Sequence, residues 1–373
     1  MKEFSQSFRE KLTSIDGWML FCAIAMSVMS IVTLLAASDA YGTSFVRNQS
    51  FALLLGLICV AVISMIDYDA LITKAEWLFF AVSIGLLIFV KLFGTGENGN
   101  ENWIHVVGSL YIQPTEFVKI TYILCLARHL DRLRGKINHP LSVLQIALHG
   151  GLIVGLVMLT GDDGMALVYL AIFAAMVFCS GISLWYIAGA VVAGVIAFPF
   201  LWEHMDEYQR LRILAGFNPE LDPTYIGYQP IKSRECIISG GFRGAGFSGG
   251  SRYFYLPAGQ SDFLYAVHAE KFGFLGAFLY IVLMAFLIWR IILLAKNCRK
   301  NYAGYICMGM AGMLIAQTVE NIGMCLAMLP VVGITLPFFS YGGSSMLSMY
   351  MCLGVLESIC AHNRKYYFER EDG

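Results

Sequence analysis

The sequence predicts an all-α, polytopic membrane protein with about ten transmembrane helices and one long extracytoplasmic loop between helices 7 and 8. Three observations predict it. Of 373 residues, 58% are hydrophobic and only 14% are charged, against roughly 45–50% and about 25% in soluble domains. Ten stretches are mostly apolar over about the 20 residues that a helix needs to cross a ~30 Å hydrocarbon core. Lys and Arg also concentrate on alternate connections, as the positive-inside bias requires. The net charge of −1 excludes a basic nucleic-acid footprint and a broadly polybasic membrane-surface protein.

The expected spans are 18–37, 51–67, 77–93, 111–128, 142–160, 165–181, 183–202, 265–289, 303–328 and 334–361. The first is too long for a signal-peptide core and has no small-residue cleavage site, so it reads as a span. The fourth carries Glu116 and Lys119; the last is interrupted by Pro337 and by Gly342-Gly343. With a cytoplasmic N-terminus, Lys2, Arg9, Lys11, Lys74, Arg128, Arg132, Arg134, Lys136, Arg290, Lys296, Arg299, Lys300, Arg364, Lys365 and Arg370 all lie inside. The short outer connections then hold only Arg47, and both termini are cytoplasmic. No repeat or low-complexity tract divides the chain, which reads as one domain, 1–373. Its outer connection, about 203–264, carries Arg210, Arg212, Lys232, Arg234, Arg243 and Arg252, a concentration of cations suited to an anionic ligand. The cysteines show no CxxC pairing and the histidines no HExxH, which argues against a disulfide framework or a zinc site.

Three constellations could carry chemistry. In Gln113-Pro114-Thr115-Glu116-Phe117-Val118-Lys119 the acid and the base are three apart, on one helix face. Ionisable groups inside a membrane face the bundle interior or a cavity, so this is either a structural ion pair or the lining of a polar site. The long loop contains Ser239-Gly240-Gly241-Phe242-Arg243-Gly244-Ala245-Gly246, whose amides could converge on an anion. No strand precedes it and no Gly-Lys-Ser follows, which disfavours a nucleotide P-loop. The loop ends at Ser261-Asp262, where a carboxylate at an apolar boundary suits either a helix N-cap or a general base. Glu270 lies two turns deeper and could pair with Lys119 or a loop arginine. In the third, 329–345, proline and paired glycines break a helix and free backbone groups that only protein or a wet cavity can satisfy. Ser340, Ser344 and Ser345 could satisfy them or bind a sugar.

Together these segments resemble the SEDS family (shape, elongation, division and sporulation). Gln113-Pro114-Thr115-Glu116-x-x-Lys119 looks like the family's QPSE-x-x-K. Gly240-Gly241-x-x-Gly244-x-Gly246, Leu256-Pro257 with Asp262-Phe263, and Glu270-x-x-Gly273-x-x-Gly276 resemble further family segments. Pro330-x-x-Gly333-x-x-Leu336-Pro337-x-x-Ser340-Tyr341-Gly342-Gly343-Ser344 is similar to its most recognisable signature. The matches follow the family's order along essentially the whole chain. There are departures: Thr160-Gly161-Asp162-Asp163-Gly164 keeps only Asp162 and Gly164 of the family's pattern. Asn102-Trp103 has lost a cation, and Lys271 stands where the family has a second acid.

The resemblance implies a peptidoglycan glycosyltransferase that polymerises lipid II at the outer face of the bacterial cytoplasmic membrane, with undecaprenyl diphosphate as leaving group. It implies Asp262 as the general base. Arg210, Arg212, Lys119 and Lys232 are then candidates to hold the diphosphate, with Glu116 orienting Lys119. Asp162, Glu270, Ser340 and Ser344 complete the expected substrate-binding set. A divalent cation (Mg or Mn) could share the charge, although the sequence shows no dedicated ligand cluster. The implied partner is a class B penicillin-binding protein, which would supply transpeptidation. The rival readings are a flippase or transporter for lipid-linked precursors, and a non-catalytic scaffold of a cell-wall synthesis complex.

Overall fold

The computed structural model describes residues 15–96, 102–107 and 110–368. The charges expected inside at Lys2, Arg9, Lys11 and Arg370 lie outside the described residues, as do the side chains of Arg364 and Lys365. The helices are α1 (Gly17–Ala36), α2 (Thr43–Met65), α3 (Tyr68–Phe93), α4 (Pro114–Leu133), α5 (Pro140–Leu159), α6 (Asp163–Cys179) and α7 (Leu184–His204). They continue with α8 (Glu207–Phe217), α9 (Tyr228–Gly240), α10 (Leu264–Lys296), α11 (Asn301–Cys325) and α12 (Gly343–Phe368). A small antiparallel hairpin, β1 (Ile104–Val107) with β2 (Leu110–Ile112), precedes α4.

Among the described residues, eight helices are long and apolar enough to cross a membrane, and the chain is a multi-pass membrane protein. Two of the expected spans fall outside that set. Helix α6 is apolar but has only 17 residues. Helix α4 is too polar, yet it is among the most enclosed, with Val118, Lys119, Ile123 and Leu126 all buried. That inversion is physical: a charged helix is tolerable in a membrane when its polar groups face protein. Helix α7 is the opposite case, apolar throughout and with no residue buried.

The ends alternate between two faces. At one, Asp16 before α1 pairs with Arg290 near the end of α10, and Asp69 in α3 takes Lys300 and Tyr302 at the start of α11. At the other, Asp39 after α1 accepts from Tyr253 of the long loop. There too the residues preceding α4 and α6 meet, through Gln113 and Asp162. This second face also holds Asp262, close to Asp162.

The structure corrects three element boundaries. The last helix does not begin at 334 but at Gly343, because 329–342 runs as irregular backbone after Pro330. The fourth starts at Pro114 rather than 111, since 110–112 belongs to β2; Pro114 takes the first helical position, where its missing N–H costs nothing. The second begins at Thr43, eight residues early. The long connection is also not plain loop, since α8 and α9 form within it. Helix α8 is started by a capping box of Asp206 and Gln209.

The glycine run has a different role from the anion cradle its sequence suggests. Helix α10 breaks at Gly273 (φ 66°, ψ −166°), which frees carbonyls of the preceding turn. The amides of Ala245 and Gly246 take the carbonyls of Glu270 and Lys271, at 2.9 and 3.0 Å. Phe274 N–H returns a bond to Gly241 O at 2.8 Å. Gly244 and Gly273 touch so closely that a Cβ on Gly273 would stand 2.3 Å from Gly244 N. The run therefore splints a broken membrane helix.

Candidate active site

Asp262 lies in a turn wound on one carbonyl. Ala258 O accepts from Ser261 N at 3.1 Å and Phe263 N at 3.2 Å, and Ala258 itself holds a left-handed φ of 53°. The carbonyl of Asp262 accepts from Asn321 Nδ2 of α11 at 2.8 Å, and the same amide reaches Ile334 O at 2.7 Å. Asn321 thus ties the turn to the irregular 329–342 segment. Gly333 stands beside the carboxylate: a Cβ there would lie 3.6 Å from Asp262 Oδ2.

The side chain of Asp262 is half-buried. Burial, with Asp162 adding a like charge, pushes its carboxyl up to about 6, while a Ser261 hydrogen bond and the Arg212 guanidinium pull the other way. Asp162 caps α6 by accepting from Met165 N at 3.0 Å and takes Gln113 Nε2 at 3.0 Å. Burial raises its carboxyl as well. Two acids set in low dielectric beside one arginine make a site in which a proton can be held and released near neutral pH.

The cation side is built from α8 and the irregular segment. Arg212 Nε donates to Val331 O at 2.5 Å. Gly216 packs on Pro330, with a Cβ position only 2.3 Å from Pro330 Cα. Glu116 and Lys119 pair at 2.8 Å, and both are sealed from solvent. Ser348 Oγ donates to Glu116 Oε2 at 2.8 Å, which locks α4 to α12. On the other side of the turn, Gln260 and Ser261 line a groove of about 900 Å³. Its wall on α2 passes from Arg47 and Asn48 to Phe51 and Leu55, polar at one end and apolar at the other, facing Trp103 and Tyr341.

A family model for the cell cycle proteins FtsW, RodA and SpoVE matches residues 12–365. The chain belongs to the SEDS family. It is 32% identical over 370 residues to the probable peptidoglycan glycosyltransferase FtsW of Trichlorobacter lovleyi, covering 94% of each chain. It is 31% identical over 369 residues to the stage V sporulation protein E of Bacillus subtilis, covering 95% of this chain and 99% of that one. Among solved structures it resembles a chain of a peptidoglycan synthase complex that coordinates polymerization and crosslinking. The TM-score is 0.82 at 30% identity, covering 94% of this chain and 98% of the other.

In this SEDS chain the structure brings together Asp262, Asp162, Arg212, Glu116, Lys119 and, through the Gln113 N–H, Ser344 Oγ at 3.3 Å. Others stand elsewhere. Lys119 is sealed against Glu116, so its ammonium is not open to a ligand at the surface. Glu270 does not pair with Lys119 or an arginine; its carboxylate accepts the amides of Ser251, Arg252 and Tyr253 at 2.8, 2.8 and 2.9 Å. Lys232 is held by Glu235 at 2.9 Å, and Arg210 donates to Glu203 O at 2.7 Å. Ser340 Oγ accepts Leu336 N–H at 2.9 Å, so it shapes the irregular segment.

Lys91 occupies the last turn of α3, where a cation complements the helix dipole. Glu320 sits next to Asn321 in α11, toward the Asp262 end. Asn321 escaped sequence reasoning because no motif spacing marks a residue that acts through a folded-back carbonyl.

Proposed function

We propose that this SEDS chain is a peptidoglycan glycosyltransferase that polymerises lipid II. The observation that carries the reading is Asp262: a half-buried carboxylate raised to about 6, between a second acid and an arginine, next in the chain to Gln260 and Ser261 of an amphipathic groove. Asp262 removes the proton of the acceptor sugar's 4-hydroxyl as its oxygen attacks the anomeric carbon of the donor. The bond to undecaprenyl diphosphate breaks in the same displacement, so the configuration inverts. Arg212 faces the leaving diphosphate directly, while Lys119 contributes positive potential without contact. Because the diphosphate departs as an anion, one base suffices and no paired acid is needed.

A groove polar at one end and apolar along α2 suits an amphiphile whose sugar stays at the surface while its polyprenyl chain enters the membrane. Among the described residues no three His, Cys, Asp or Glu side chains form a metal-holding group. A Mg or Mn ion held by one or two carboxylates and the substrate's diphosphate needs no such group; it would sit by Asp262 and Asp162 and neutralise charge on the leaving diphosphate. Arg290, Lys300, Arg128 and Arg132 gather at the face opposite Asp262. That supports cytoplasmic termini, an outward-facing site and residence in the bacterial cytoplasmic membrane. The partner that the family resemblance implies is a class B penicillin-binding protein that cross-links the strands, in keeping with a relative whose complex coordinates polymerization and crosslinking.

The test is incubation of the purified chain with its co-purified transpeptidase and labelled lipid II. Glycan strands longer than the disaccharide support the reading. Movement of labelled lipid II across liposome bilayers without any strand formation replaces it with a flippase.

A further inference from the structure

Tyr253 joins two charges carried by different segments. Its hydroxyl donates to the Asp39 carboxylate, 2.8 Å from both oxygens, and accepts from Lys271 Nζ at 3.1 Å. The same ammonium lies 4.2 Å from the centre of the Tyr253 ring. It also donates to Gly249 O at 2.8 Å and to Phe247 O at 3.4 Å. Lys271 is 1% exposed. An ammonium so enclosed is tolerable because two carbonyls, an aromatic face and a phenol-bridged carboxylate replace its water.

Tyr253 is held at its other atoms too. Its amide donates to Glu270 Oε2 at 2.9 Å, and its carbonyl accepts from Tyr41 OH at 3.1 Å. Tyr41 presses on the turn that bears Asp262: a Cβ at Gly259 would stand 2.0 Å from Tyr41 Oη. Asp39 and Tyr41 belong to one short helical turn, Ser38–Tyr41, between α1 and α2. Lys271 lies on the piece of α10 before the Gly273 break, the piece that Asp262 leads into.

We propose that the Asp39–Tyr253–Lys271 chain is a positioning device for Asp262. The contact between Tyr253 and Lys271 closes a loop of backbone with Asp262 near its apex, and Asp39 fixes that closure to the α1–α2 turn. The rest of the apex is held by Asn321 and by the Ala258 carbonyl, so the clamp governs the direction in which the carboxylate meets a hydroxyl. It explains why this chain carries Lys271 where the family resemblance leads to an acid. A carboxylate there would face two carbonyl oxygens and stand across a phenol from Asp39, so the cation and Asp39 belong together. The inference rests on the reading of Asp262 as the base of a polymerase.

Tyr253→Phe keeps the ring and removes both hydroxyl bonds. In the transpeptidase complex with labelled lipid II, kcat falls roughly ten- to a hundredfold, as for a misdirected catalytic group. KM stays within about twofold and the thermal midpoint in detergent stays near wild type. Asp39→Asn and Lys271→Met give comparable losses, and the double variant is no worse than the poorer single one, because both act through one hydroxyl. The proposal is overturned if Tyr253→Phe polymerises at the wild-type rate, or if its rate falls only in step with its folded fraction. Asp262→Asn runs beside it. If that variant is fully active, the base reading fails and takes the positioning role with it. If it is inactive while Tyr253→Phe is unimpaired, the positioning role alone fails.

Discussion

At the scale of the residue, Asp262 is governed by neighbours of opposite sign, and this can be read out by pH. Its carboxylate is the active form, so the rate falls on the acid side as the group protonates, with a midpoint near 6. Arg212 favours the ionised form, so Arg212→Gln moves that midpoint to higher pH. It also lowers kcat by roughly ten- to a hundredfold by removing charge from the leaving group. Asp162 disfavours the ionised form, so Asp162→Asn moves the midpoint the other way, to lower pH, while an Asn still caps α6. pH–rate profiles of the three proteins on lipid II check both directions; shifts of the same sign in the two variants would contradict the arrangement. Charge is rare in a membrane chain, so the sequence draws the eye to Arg212 and to Asp262 as cap or base, while Asp162 and the choice of base come from the family resemblance. A reader of the sequence could not find Asn321, Tyr253 or Asp39. Their roles depend on where the irregular segment and the long loop fold back, which no local spacing encodes.

At the scale of the element, broken helices do most of the positioning. The irregular 329–342 backbone supplies Val331 O to Arg212 and Gly333 beside Asp262. The Gly273 break frees the Glu270 and Lys271 carbonyls for the Ala245 and Gly246 amides of the loop. Gly273 holds a φ/ψ pair open almost only to glycine, and its neighbour Gly244 leaves no room for a side chain. Gly273→Ala therefore lowers the thermal midpoint in detergent, by an amount corresponding to at least about 1–3 kcal/mol of backbone strain. Retention of the wild-type midpoint would show that the splint is dispensable. Helical periodicity and apolar length made the spans legible, while the sites of breakage were visible only as proline and glycine without their consequence. The glycine run misled for that reason: its amides are spent on carbonyls of α10, not on an anion.

At the scale of the whole molecule, the Asp16–Arg290, Glu76–Arg132 and Asp69–Lys300 pairs lie at one face and Asp262 at the other. In the proposed orientation, a single cysteine introduced at Tyr225 reacts with a membrane-impermeant maleimide in intact cells, and one at Lys296 reacts only after the membrane is permeabilised. Labelling of both from one side would invalidate the topology. The orientation places Asp262 where a lipid-linked sugar is presented and where strands can be handed to a transpeptidase. The most direct measurement of the central claim is glycan polymerisation from lipid II by the complex containing wild-type protein or Asp262→Asn. The account predicts strands from wild type and a loss of roughly a hundredfold or more in the Asn variant, with the fold retained. Strand synthesis by the Asn variant at a rate near wild type would contradict it.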